Sequence, residues 1–287
     1  MTTRTVHDTL IDPATLARHL GDPGWVVLDL RHDLAEPEDW GRMQYRRGHV
    51  PGARFVHLDD DLSAPKSGSN GRHPLPAPET AASLFGRCGI DDTTQVVCYD
   101  QGGGMMAARA WWMLRWLGHR AVAVLDGGFV RWTREGHPVT ADVPPTAPRD
   151  FRSDACLPIA DAGELRASLD ARSLAIVDAR APERFRGEVE PLDPVAGHIP
   201  GARNRPCQMN LRADATFKDA ATLKVEFDAL LAGVPLDRVV HQCGSGVTAC
   251  HNVLAMAIAG YPLTRVYPGS WSEWVADRSR PVATGPA

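Results

Sequence analysis

Gly48-His49-Val50-Pro51-Gly52-Ala53-Arg54 returns as Gly197-His198-Ile199-Pro200-Gly201-Ala202-Arg203, 149 residues later. The preceding Val27-Leu28-Asp29-Leu30-Arg31 returns at the same offset as Ile176-Val177-Asp178-Ala179-Arg180. Further on, Val96–Asp100 matches Val239–Cys243 at an offset of 143, and Asp126–Trp132 matches Pro268–Trp274 at 142. The chain is therefore one folding unit written twice. The drop in offset places extra residues in the first copy, in the Gly/Ser-rich stretch 63–72, which reads as a surface loop. Each copy has apolar runs of strand length, Trp25–Leu28, Gln95–Tyr99 and Ala121–Leu125, then Leu174–Val177, Arg238–Gln242 and Leu263–Val266. These alternate with helical stretches such as Ala107–Leu117 and Val247–Ala259. Such alternation predicts an α/β fold, with a mainly parallel sheet covered by helices in each copy. Four prolines between His137 and Pro148 read as a stiff linker. The expected domains are residues 1–137, a linker over 138–152, and residues 153–287.

Composition narrows the function. The 287 residues carry 31 Lys and Arg against 35 Asp and Glu, a net charge of −4 with no long block of one sign. That excludes the basic footprint of a nucleic-acid binder or of a protein held on anionic lipid. No apolar run approaches the roughly 18 residues of a membrane span, and residues 1–8 contain no apolar signal core. A cytoplasmic protein is expected, with small molecules or other proteins as partners. The six cysteines are scattered and form no C-x-x-C pair, so neither a disulfide scaffold nor a zinc site is expected.

One cysteine has the surroundings of a nucleophile. Cys243-Gly244-Ser245-Gly246-Val247-Thr248 follows a strand and opens an Ala-rich helix. Two glycines let the backbone curl so that successive N–H groups point inward, and the helix start adds its positive end. An ordinary thiol is only about 3% ionised at pH 7, and such a cradle favours the thiolate. It would equally solvate the terminal sulfur of a persulfide. Cys88, Cys98, Cys156, Cys207 and Cys250 lack this setting and read as packing or partly exposed thiols. The first copy has Asp100 at the nucleophile position, followed by Gln101 and three glycines, and reads as catalytically silent.

The doubled Gly-His-(Val/Ile)-Pro-Gly-Ala motif, the Asp126-Gly-Gly-Phe-Val-Arg-Trp and Gly269-Ser-Trp-Ser-Glu-Trp endings and the cysteine turn together resemble the tandem rhodanese sulfurtransferases. The resemblance runs from about residue 8 to about 277 and implies two tandem rhodanese-like domains. Within the family, Cys-Gly-Ser-Gly-Val-Thr is similar to the 3-mercaptopyruvate sulfurtransferases, whereas thiosulfate enzymes carry basic residues after the cysteine. The resemblance implies Cys243 as the persulfide carrier, Arg184 as the grip on the donor carboxylate, and the turn residues Gly244, Gly246, Val247 and Thr248 as donor-binding. It also implies a proton relay of Ser245, His73 and either Asp59 or Asp60, reaching from the first copy into the second. A thiol such as thioredoxin, or cyanide, would accept the sulfur, with no metal or organic cofactor.

Three details depart from the pattern or stand beside it. Leu192 occupies the place where the family often has a second arginine, which Arg203 or Arg205 would have to replace. Arg186 should point away from the site if its segment is extended. His49 and His198, present in both copies, read as structural. Thiosulfate as donor is the alternative activity. A cysteine phosphatase would need an arginine where Ala249 stands, and a sulfur-carrying or protein-binding module would need an inert Cys243.

Overall fold

A computed structural model describes residues 5–153 and 156–286. The chain divides into two compact units. The first comprises residues up to 62, 76–157 and 213–216, and the second comprises 63–75, 158–212 and 217 onward. Residues 63–75, inserted in the first copy, thus belong to the second unit.

The first unit is built on five strands, β1 (Leu10–Ile11), β2 (Trp25–Asp29), β3 (Arg54–Phe55), β4 (Gln95–Tyr99) and β5 (Val122–Leu125), in the order β1-β5-β4-β2-β3. The second has β6 (Ala175–Asp178), β7 (Arg203–Asn204), β8 (Val239–Gln242) and β9 (Arg265–Val266), in the order β7-β6-β8-β9. Every strand pair is parallel. All residues of β4 and of β8 are buried, as expected of central strands covered on both faces. The helices Ala107–Trp116 and Ala249–Ile258, buried nearly all round, follow these two strands. Trp132 in the first unit and Trp271 and Trp274 in the second are wholly buried in the two cores. Each tryptophan contributes roughly 5 kcal/mol of transfer free energy.

The repeated motifs explain one another. Arg31 pairs with Asp29 at 2.6 Å and donates to the Gly48 carbonyl at 2.7 Å, while Arg180 pairs with Asp178 at 2.7 Å and donates to the Gly197 carbonyl at 2.7 Å. These buried forks tie a strand end to the Gly-His motif in each copy. His49 stacks on Tyr45 and His198 on Phe185, each pair with ring centroids 3.8 Å apart. Their Nδ1 atoms lie 2.8 and 2.7 Å from the carbonyls of Tyr45 and Phe185. Both histidines are engaged in packing. The proline-rich stretch has no helix and packs along the first unit: Thr140 bridges to His49, the Arg149 N–H donates to Gly86, and Phe151 packs beside Phe85. No helix among the described residues is long and apolar enough to cross a membrane.

Candidate active site

Strand β8 delivers Cys243 to the start of the helix Ala249–Ile258, and a second segment fixes the turn between them. The Trp271 N–H donates to the Cys243 carbonyl at 3.0 Å, and the Ser272 N–H to the Gly244 carbonyl at 2.9 Å. The Cys243 N–H donates to Ser270 Oγ at 3.1 Å, whose own hydroxyl donates to the Tyr267 carbonyl. Gly246 has φ +76°, and a Cβ there would lie 2.2 Å from the Pro268 carbonyl oxygen, so a side chain is excluded. Among the described residues, the N–H groups of Gly244, Ser245, Val247, Thr248 and Ala249 have no protein acceptor. Unpaired backbone donors around a buried thiol form a site for negative charge.

The first copy shows what such a turn holds. The Asp100 carboxylate accepts the N–H groups of Gly104 at 3.1 Å, Met106 at 2.8 Å and Ala107 at 3.1 Å. Burial pushes its pKa up to about 6 against these donors. A fixed carboxylate thus fills the first cradle.

Ser245 Oγ lies 2.7 Å from His73 Nδ1, and both side chains are buried. His73 arrives on the 63–75 loop, which is anchored by the Arg72 N–H to Ser272 Oγ at 3.0 Å and the Ala64 N–H to the Pro74 carbonyl at 2.8 Å. Gly71, at φ +88°, sits so close to Gly269 that a Cβ would come within 2.8 Å of that carbonyl.

Arg184 extends from a single helical turn, Pro182–Phe185, toward Gly244. Its Nε and Nη2 donate to Glu190 at 3.2 and 2.6 Å, and Nη2 also reaches Asp193 at 3.3 Å. Burial works against the Glu190 charge, but the Arg184 hydrogen bond and the Leu192 and Asp193 N–H groups hold its pKa below the ordinary range. Asp193 pairs as well with Arg72. A Cβ added to Gly244 would lie 2.8 Å from Arg72 Nη2 and 3.6 Å from both Nη atoms of Arg184. Two guanidiniums therefore converge beside the residue that follows the cysteine.

Sequence reasoning missed Arg72, Glu190, Asp193 and Ser270. The Gly71-Arg72-His73 stretch drew attention only to its histidine, and the acidic stretch 188–193 only to its missing arginine. Arg203 and Arg205 do not replace that arginine. Arg203 Nη1 donates to the carbonyls of Leu230 and Leu231, and Arg205 is held by Asn210 and Glu226. Arg186 is turned away, but its segment is helical rather than extended, and it pairs with Glu188 at 2.7 Å.

Asp59 lies in the first unit, where its carboxylate and the ring nitrogens of His32 and His57 fall within 4.8 Å of one another. His57 is engaged on both nitrogens, Nε2 lying 2.9 Å from the Glu38 carbonyl and Nδ1 accepting the Asp60 N–H at 3.2 Å, so this trio does not read as a metal site. Asp60 is exposed and pairs with Arg42 at 3.2 Å. Among the other cysteines, burial pushes Cys88 up to about 11 and Cys207 up to about 12, and raises Cys98 further, so these stay as thiols at neutral pH.

The family model of the rhodanese-like domain matches residues 12–135 and again 161–277. A probable 3-mercaptopyruvate sulfurtransferase of Pseudomonas aeruginosa is 50% identical over 280 residues, covering 96% of this chain and 98% of that protein. A putative thiosulfate sulfurtransferase of Mycobacterium tuberculosis, SseB, is 42% identical over 285 residues, covering 97% and 98%. Among solved structures, the 3-mercaptopyruvate sulfurtransferase of Leishmania major superposes with TM-score 0.81 at 30% identity, covering 93% of this chain and 74% of that one. The corresponding SseA of Escherichia coli gives 0.79 at 31%, covering 92% and 99%.

Proposed function

The chain belongs to the rhodanese-like family, and from that premise we propose that it moves the sulfur of 3-mercaptopyruvate to a thiol acceptor through a persulfide on Cys243. The observation that carries this reading is the turn itself: a cysteine ringed by unpaired N–H groups, with a guanidinium on one neighbour and a serine–histidine pair on the other. The Cys243 thiolate attacks the donor's thiol sulfur while Arg184 holds the donor carboxylate. A new S–S bond forms, the C–S bond breaks, and its electron pair leaves with the carbon as the enolate of pyruvate. That enolate takes up one proton, for which Ser245 and His73 are placed. Asp59, the third relay member that the resemblance implies, is carried in the same proposal. The terminal sulfur of the persulfide rests against the N–H groups of Gly244, Ser245, Val247, Thr248 and Ala249 until a second thiol, such as that of thioredoxin, or cyanide removes it.

Thiosulfate is the second reading, supported by the mycobacterial relative's name and by a pair of guanidiniums that suits a dianion. One experiment tests both. Pyruvate release from 3-mercaptopyruvate is compared with thiocyanate formation from thiosulfate and cyanide, in wild type and in Cys243→Ser. Pyruvate release should dominate in the wild type, both activities should vanish in the variant, and a donor-treated wild-type peptide should gain about 32 Da at Cys243. Full activity in Cys243→Ser would refute the mechanism, and a preference for thiosulfate would refute the choice of donor.

A further inference from the structure

We propose that the second unit carries a docking cleft for an extended, acidic segment of a partner protein, at the end of its sheet away from Cys243. The first unit shows such a position filled. There the segments that lead into β2 and β4 are bridged by the proline-rich stretch. The Arg149 guanidinium donates to the Pro23 carbonyl at 3.0 Å and to Asp91 at 2.9 Å, and the Arg149 N–H donates to the Gly86 carbonyl at 2.9 Å. The same stretch closes over the Gly-His motif, with Thr140 bridged to His49 and the Asp142 carbonyl 3.1 Å from His49 Nε2. An extended peptide with a basic side chain is thus what the first copy holds here.

In the second unit Ala283 bridges to His198 as Thr140 does to His49, but the segments that lead into β6 and β8 face an open cleft of about 650 Å³. Those segments supply Arg172 and Arg238, and Arg203 and His198 add to the wall. Arg172 and Arg238 are exposed, and neither guanidinium has a hydrogen-bond or ion-pair partner among the described residues. Arg203 uses only Nη1, on the carbonyls of Leu230 and Leu231. His198 is 3% exposed; its Nδ1 is taken by the Phe185 carbonyl, and its Nε2 has no partner among the described residues. No Asp or Glu lines the cleft among those residues. Where the first unit offers Asp91 to a basic side chain, the second offers three arginines and an unpartnered imidazole nitrogen, so the occupant it fits carries carboxylates. Guanidinium forks take such groups, and Leu174, Val234 and Pro235 give the rest of an extended chain an apolar wall. Strand β8 starts beside Arg238 at the cleft and ends before Cys243, so the occupant leaves the cysteine turn uncovered.

The probe is a fluorescent synthetic peptide that copies residues 140–151 with Arg149→Glu, so that it carries carboxylates and no cation; the unaltered copy, which keeps its arginine, is the control. Anisotropy titrations with the full chain should give a Kd of about 100 µM or below for the acidic peptide and a value about tenfold weaker for the control. The double variant Arg172→Glu, Arg238→Glu, changed only at exposed side chains, should weaken the acidic peptide about tenfold or more while its unfolding midpoint stays at the wild-type value. Should that variant unfold, raising salt on the wild type from about 0.05 to about 0.5 M, which should weaken the acidic peptide about tenfold, reads the same charge dependence. No saturable binding up to about 1 mM overturns the inference, as do equal affinities for the two peptides or binding that neither the double variant nor salt weakens. Inorganic pyrophosphate that binds where the peptide does not would make the cleft a small-anion site and overturn it. A dimer of this chain that the double variant dissolves would make a second copy the occupant, and overturns it too.

Discussion

In the proposed mechanism, Ser245 is the residue whose duty depends on which donor reacts. Its hydroxyl is 2.7 Å from His73 and two positions from the nucleophile, where it can deliver a proton to a carbon that leaves as an enolate. Sulfite, the leaving group from thiosulfate, departs as a stable anion and needs no proton. Ser245→Ala should therefore lower kcat for pyruvate release by about a hundredfold, while thiocyanate formation from thiosulfate falls by less than about fivefold. Steady-state assays with both donors check this, and equal losses would remove Ser245 from the relay. Cys243 could be found in the sequence because glycines and a helix start beside a cysteine constrain backbone N–H groups directly. Arg72 could not. An arginine in a Gly/Ser-rich loop has no periodic pattern, and only the loop's anchoring on Ser272 brings it to Gly244.

At the scale of the element, β8 pairs chemistry at its end with an unusual interior. His241 is fully buried with both ring nitrogens unpartnered, and burial pushes its pKa down to about 3 from 6.5. The folded state therefore holds His241 neutral where the unfolded chain binds a proton. Its contribution to stability is intact above pH 6.5 and is lost as pH falls from there toward 3. Between pH 7 and pH 5 the loss is about 2 kcal/mol. His32, His119 and His198 are also lowered, so the wild-type slope alone does not isolate His241. The gap in unfolding free energy between His241→Leu and wild type, from urea titrations, should widen by about 2 kcal/mol in favour of the variant from pH 7 to pH 5. A constant gap would show that His241 takes up its proton as readily in the folded protein as in the unfolded chain. Most strands legible in sequence had four or five buried residues in a row, such as β4 and β8, while the short β9 (Arg265–Val266) was found within the apolar run 263–266. The two-residue strands β1, β3 and β7 escaped because no apolar run of strand length was read around them, and β3 and β7 take their place from the Gly-His motif just before them.

Across the whole molecule, the two copies share their strapping and differ in what it encloses. The Phe129 and Val130 N–H groups donate to the carbonyls of Asp100 and Gln101 at 2.9 and 3.0 Å, in the places where Trp271 and Ser272 hold Cys243 and Gly244. This duplication was readable from the offsets alone. The membership of residues 63–75 was not, since sequence order assigns them to the first copy while their backbone contacts assign them to the second unit. We propose that the first copy is catalytically silent for two separate reasons. Asp100 fills its cradle, and the residues 149 positions before Arg184, Glu190 and Asp193 are Ala35, Gly41 and Gln44, which can form no guanidinium clamp. Restoring only the thiol should therefore fail. In a Cys243→Ser background, Asp100→Cys should release pyruvate from 3-mercaptopyruvate at below about 1% of the wild-type rate and gain no sulfur adduct at position 100 by mass spectrometry. A persulfide formed there at a comparable rate would mean that the backbone cradle alone suffices, and that the arginines beside Gly244 select the donor without being needed for the chemistry.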